Sequence, residues 1–147
     1  MLEIVPERPE DAARIEDLLD QVFGAGRKTS KTVYRLRQGA RPLMSLCFSA
    51  QEGGRLLGSL RFWPVTIGGR WPALLLGPVA VAPGHRGLGI GARLIGHGLA
   101  AARQRGHAIV VLVGEEGYYR RFGFRHALAW ALDLPGPVER RRLLAAE

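Results

Sequence analysis

The chain has 147 residues, 47% of them hydrophobic and 23% charged. That is enough for one domain with a full core and too little for two, and no apolar run approaches the length that spans a membrane. The net charge of +8 comes almost wholly from arginines scattered between Arg8 and Arg142, with no basic block carrying interleaved aromatics, so a small anionic ligand is expected and a nucleic-acid or membrane partner is not.

In chain order, Leu2 to Val5 reads as a short strand. Pro9 to Phe23 reads as a helix, with Pro early, Asp11 near the start, and Ala12, Ile15, Leu18, Leu19 and Val22 at helical spacing. Gly24 to Gly26 ends it. Lys28 to Gln38 is predicted as a more polar surface helix, with Thr29 or Ser30 as its cap. Leu43 to Ala50 and Arg55 to Pro64 are predicted strands joined by a hairpin loop at Gln51 to Gly54, and Gly68-Gly69 turns the chain into the strand Trp71 to Ala82. A helix from about Leu88 to Arg105 and a strand from His107 to Val113 complete a β-α-β unit, whose two strands should be parallel. Glu115 to Phe122 reads as a short helical segment, Ala127 to Leu134 as a last strand, and Pro135 to Glu147 as a tail or short terminal helix. The fold class is α+β, a mixed sheet in one domain over residues 1–147.

Val79-Ala80-Val81-Ala82-Pro83-Gly84-His85-Arg86-Gly87-Leu88-Gly89-Ile90-Gly91-Ala92 carries the strongest signal. Glycines at 87, 89 and 91 uncover backbone N–H groups where a helix start has unpaired donors and partial positive charge, the arrangement that binds a phosphate or pyrophosphate. Arg86 adds a planar donor fork. Glycine inside a helix costs about 1 kcal/mol relative to alanine, so ligand approach explains Gly89 and Gly91, and tight packing on the sheet explains Gly96 and Gly98. Leu74 to Val81 is apolar throughout, as in a strand buried on both faces, yet Pro78 in its middle lacks a ladder donor. Gly77-Pro78 is therefore predicted to form a bulge that splays this strand from its parallel neighbour and opens a cleft beside the turn.

These residues resemble the GNAT acetyltransferase family, whose cofactor motif is [Arg/Gln]-x-x-Gly-x-[Gly/Ala], here Arg86-Gly87-Leu88-Gly89-Ile90-Gly91. Tyr118-Tyr119-Arg120-Arg121-Phe122-Gly123-Phe124 is similar to the family's Tyr-x-x-x-Gly-Phe segment, and the pairing with Gly-Pro-Val-Ala-Val resembles its YhbS-like group. The resemblance implies the acyl-CoA N-acyltransferase fold, mostly antiparallel with one splayed parallel pair and flanking helices. It also implies acetyl-CoA as co-substrate. Backbone groups of Val79, Ala80 and Val81 would meet the pantetheine arm, and N–H groups of Arg86, Gly87, Leu88, Gly89, Ile90, Gly91 and Ala92 the pyrophosphate. The N–H of Val79 would stabilise the oxyanion, and Tyr119 would protonate the leaving thiolate, since a phenol keeps its proton at neutral pH. The alternative for Tyr119 is a core aromatic packed on Phe122 and Phe124, and Tyr118 is expected to be structural. No Asn precedes the tyrosine pair, and no carboxylate lies in Leu74 to Val81, so Glu115, Glu116 or His85 acting through water, or an amine that arrives deprotonated, stand as routes for the acceptor's proton.

Two rival readings are a dinucleotide-binding protein, for which Gly87-x-Gly89-x-x-Ala92 fits the permissive pattern and Glu115 follows the next strand, and a non-catalytic acyl-CoA sensor. The acceptor is a small-molecule or peptide amine bounded by Phe23 to Tyr34, Trp63 and the end of the chain. Its identity, the acyl length and the choice between monomer and homodimer are not fixed by these residues. Cys47 has no partner for a disulfide and reads as a buried thiol. His85, His97, His107 and His126 lack metal-ligand spacing, so no metal is expected. Met1 to Glu10 holds three glutamates and no cationic leader, which points to the cytoplasm.

Overall fold

The computed structural model describes residues 1–24, 42–67, 71–114, 116–125 and 143–146. Among these, six strands form one sheet in chain order: β1 (Glu3–Pro6), β2 (Phe48–Glu52), β3 (Arg55–Ile67), β4 (Trp71–Val81), β5 (Val110–Val113) and β6 (Leu143–Ala146). Neighbours are antiparallel except β4 and β5, the parallel pair joined by a helix. The described α-helices are α1 (Ala12–Phe23), α2 (Ile90–Gln104) and the single turn α3 (Glu116–Tyr119). The expected polar helix over 28–38, the turn at Gly68-Gly69 and the strand over 127–134 lie outside the described residues. Leu143 to Ala146, expected in a tail or terminal helix, instead pairs antiparallel with the whole of β5. Alanine-rich and four residues long, this strand owes its conformation to the ladder beside it. The expected strand Leu43 to Ala50 is interrupted by a 3-10 turn over Met44–Leu46 and joins the sheet only from Phe48.

Local chemistry accounts for the joins. Gly53 and Gly54, at φ of +58° and +79°, form the two-residue loop between paired Glu52 and Arg55, the turn whose twist matches a hairpin. Gly24, at φ of +88°, stops α1 with its N–H on Asp20 O.

Side chains alternate across the sheet, and the two faces carry different cargo. On one face Leu60, Phe62, Leu74, Leu76, Val110 and Leu112 pack against Ile90, Leu94, Ile95 and Leu99 of α2. The helix comes very close here: a Cβ on Gly98 would stand 2.6 Å from Leu60 Cδ2 and 2.7 Å from Phe62 Cε2. Gly96, by contrast, is exposed with nothing within 4 Å of its would-be Cβ, so sheet packing does not explain it.

The other face meets α1, whose Ile15, Leu18 and Leu19 pack on Ala80. Buried Arg61 lies on this side, its Nε donating to Glu7 Oε1 at 2.9 Å and its Nη1 to Glu16 Oε1 at 3.2 Å. Burial alone would lower the Arg61 pKa, but the bonds and charges of Glu7 and Glu16 together outweigh it and raise it. Cys47 is fully buried, as expected, with Sγ 3.3 Å from Leu43 O, and burial pushes its thiol up to about 11.

Candidate active site

The predicted bulge is present and can be located to one position. β3 and β4 pair Leu60 with Val79 and Phe62 with Leu76, which leaves Gly77 and Pro78 together opposite Arg61 alone. Trp63 holds it: its indole Nε1–H donates to Gly77 O at 2.7 Å, and the side chain is buried, so Trp63 serves the strand rather than an open acceptor surface.

The extra residue inverts the alternation of backbone groups. Before the bulge Leu74 N–H donates to Ile109 O, towards β5. After it Ala82 N–H donates to Leu57 O, towards β3. Even-numbered residues thus face β5 upstream and β3 downstream. Val79 and Val81 consequently turn their backbone groups away from β3, to the side where β5 no longer reaches, because β4 pairs with β5 only at Leu74 with Val110 and Leu75 with Val111.

Beyond β4 the chain makes a Pro83-Gly84 turn closed by His85 N–H on Ala82 O, with Gly84 at φ of +89° as this turn type requires. Gly89, at φ of +81° and ψ of 8°, caps α2 without any side-chain capping bond, and the first intrahelical bond runs from Arg93 N–H to Gly89 O. The N–H groups of Ile90, Gly91 and Ala92 accordingly have no acceptor within the helix. They face a cleft of about 380 Å³ whose turn-side wall is Val81, Arg86, Gly87, Gly89 and the first helical residues. His85 Nδ1 is buried at the same place with no hydrogen-bond partner.

The opposite wall is Tyr118 and Arg121. The Tyr118 hydroxyl is 3.8 Å from where a Gly91 Cβ would stand. Tyr119 occupies a different position, half-buried with its ring 6.1 Å from Phe124 and against the carboxyl end of β5, where a Cβ on Gly114 would come within 2.5 Å of its Cε2. The two rings meet edge to face at 4.9 Å.

Of the sequence-predicted site residues, Val81, Arg86, Gly87, Gly89, Ile90, Gly91 and Ala92 line the cleft. Val79 and Ala80 lie behind it on β4, and the Leu88 side chain projects outward, 68% exposed. Tyr118, expected to be structural, instead lines the cleft, as does Arg121, which sequence reasoning passed over. Their i, i+3 spacing on a helical segment was the available signal. Of the acceptor-proton candidates, His85 lines the cleft, Glu116 begins α3, and Glu115 lies outside the described residues.

Residues 3–127 match the model of the acetyltransferase (GNAT) domain family. The chain is 33% identical over 118 residues to YjhQ, an uncharacterized N-acetyltransferase of Escherichia coli strain K12, covering 78% of this chain and 64% of YjhQ. It is also 33% identical over 124 residues to the uncharacterized N-acetyltransferase YhbS of the same strain, covering 82% of this chain and 72% of YhbS. The crystal structure of Escherichia coli YhbS with CoA superposes with a TM-score of 0.82 at 29% identity, covering 99% of this chain and 80% of that one. A Brucella melitensis GNAT acetyltransferase in complex with acetyl-CoA gives 0.69 at 37% identity, covering 100% and 96%. With the splayed β4–β5 pair, the uncapped glycine-rich helix start and these matches together, the chain belongs to the GNAT acetyltransferase family.

Proposed function

We propose that residues 1–147 form one domain that transfers an acetyl group from acetyl-CoA to a primary amine by direct attack on the thioester. The observation that carries this reading is the phase inversion at the Gly77-Pro78 bulge. It aims the backbone of Val79 and Val81 into the gap between β4 and β5 while the glycine-rich turn presents its donors at the same end. The groups present suit the cofactor: unpaired helix N–H donors, the Arg86 guanidinium group and the unpartnered His85 Nδ1 match a dianionic pyrophosphate. Relatives crystallised with CoA and acetyl-CoA support the same choice.

The acetyl thioester supplies an electrophilic carbonyl carbon. The amine nitrogen forms a C–N bond to it as the C–S bond breaks. Val79 N–H donates to the carbonyl oxygen as it gains charge. Tyr119 gives its phenolic proton to the departing sulfur, and the ammonium proton leaves to water. No described helix is long and apolar enough to cross a membrane, and a cytoplasmic enzyme is the proposed setting.

Thiol release from acetyl-CoA over a panel of amines tests the reading. Wild type should release thiol with a subset of amines, and Tyr119→Phe, which keeps the ring against Gly114, should lower turnover by about a hundredfold without weakening acetyl-CoA binding. Unchanged turnover in Tyr119→Phe removes the tyrosine from the chemistry. Tight acetyl-CoA binding with no turnover of any amine would favour the sensor reading, for which the half-buried position of Tyr119 is the supporting observation.

A further inference from the structure

Arg121 is exposed, and no described carboxylate pairs with it. Its guanidinium carbon lies 4.5 Å from the centre of the Tyr118 ring, and its Nε–H donates to Tyr118 O at 3.0 Å. One donor of five is used to anchor the side chain, which leaves the four Nη hydrogens available to a ligand. Arg86, also without a described acid partner, stands on the facing wall of the same cleft, and among the described residues no carboxylate lines that cleft. Two guanidinium groups turned to one space with no described carboxylate between them repel each other, and a bound phosphate converts the repulsion into charge-assisted hydrogen bonds. Stacking on an aromatic face fixes the guanidinium plane before the ligand arrives, so less side-chain entropy is lost on binding.

We propose that Tyr118 and Arg121 form a stacked clamp opposite the glycine-rich turn, in which Arg121 binds a phosphate of CoA and Tyr118 orients it. This rests on the acetyl-CoA reading of the cleft. It gives the adjacent tyrosines separate tasks, Tyr118 at the phosphate end and Tyr119 at the end of β5.

Calorimetric titration with CoA and with dephospho-CoA, which lacks only the 3′-phosphate, tests it on wild type, Arg121→Ala, Tyr118→Phe and Tyr118→Leu. Arg103→Ala at the far end of α2 is the control. Arg121→Ala should weaken CoA binding about tenfold, the size expected for one exposed charge-assisted bond, and the loss should shrink in high salt. Tyr118→Leu should lose a smaller factor, and Tyr118→Phe, which retains the stacking face, less still. A loss that persists with dephospho-CoA assigns Arg121 to the pyrophosphate, and one that disappears assigns it to the 3′-phosphate. CoA binding in Arg121→Ala equal to wild type, with the protein folded by its melting transition, overturns the clamp alone. Failure of wild type to bind CoA overturns the reading of the cleft instead.

Discussion

Gly96 and Gly98 sit two residues apart in α2, and replacing each with alanine should move stability in opposite directions. Alanine gains about 1 kcal/mol over glycine in a helix interior from propensity alone. At Gly96 nothing lies within 4 Å of the new methyl, so that gain is realised, worth a rise of roughly 3 °C in Tm for a domain of this size. At Gly98 the methyl would meet Leu60 Cδ2 at 2.6 Å and Phe62 Cε2 at 2.7 Å, and both side chains are fully buried. A leucine methyl can rotate away, but the Phe62 ring is rigid and fully buried, and overpacking of this kind costs about 1–3 kcal/mol. The propensity gain offsets part of that, leaving Gly98→Ala destabilised by about 1 kcal/mol. Urea unfolding of the two variants against wild type, with m-values checked for a common two-state transition, measures both. Destabilisation by Gly96→Ala, or Gly98→Ala as stable as Gly96→Ala, would refute the close approach of α2 to the sheet.

Replacing Arg61 with methionine removes the cation from the 2.9 Å bond to Glu7, whose side chain is only 2% exposed, and should cost about 3–5 kcal/mol in denaturant unfolding. Adding Glu7→Gln should restore much of it, and a double variant no better than the single would show that the pair is not coupled. Trp63→Phe keeps an aromatic side chain but removes the donor to Gly77 O, so it should lose at least about 1 kcal/mol of stability and weaken acetyl-CoA binding through the bulge. Unchanged binding would show that the bulge holds without the indole. The Cys47 thiol is raised from 9.0 to about 11 by burial, so the folded state keeps its proton where the unfolded state has lost it. Its contribution is present below pH 9 and is lost as pH rises through 11, by up to about 1.4 kcal/mol per pH unit. Cys47→Ala should lack that alkaline slope in pH-dependent melts, and an identical slope would contradict the burial effect.

The site was legible where the backbone itself carries the chemistry. Glycines at 87, 89 and 91 and Pro78 in an apolar strand are conformational constraints, and such constraints are local enough to be read from residue type. Gly98 could also be separated from Gly96 on helical spacing, because Gly98 shares a face with Leu94, Ile95 and Ala102, all buried. What escaped was tertiary. Adjacent tyrosines on one turn point about 100° apart, and only the position of β5 and Gly114 decides which enters the cleft. Leu143 to Ala146 has no strand signature of its own and becomes a strand because the edge of β5 is free to receive it. Arg61 looks like a misplaced charge in an apolar strand until Glu7 and Glu16 are brought over it, 54 and 45 residues away in sequence.

The account centres on a cleft built to hold the phosphates of acetyl-CoA, and titration of wild-type protein with acetyl-CoA and, separately, with NADPH addresses it most directly. Saturable one-to-one binding of acetyl-CoA with none of NADPH is the predicted result. Binding of NADPH in preference, or of neither, would contradict it.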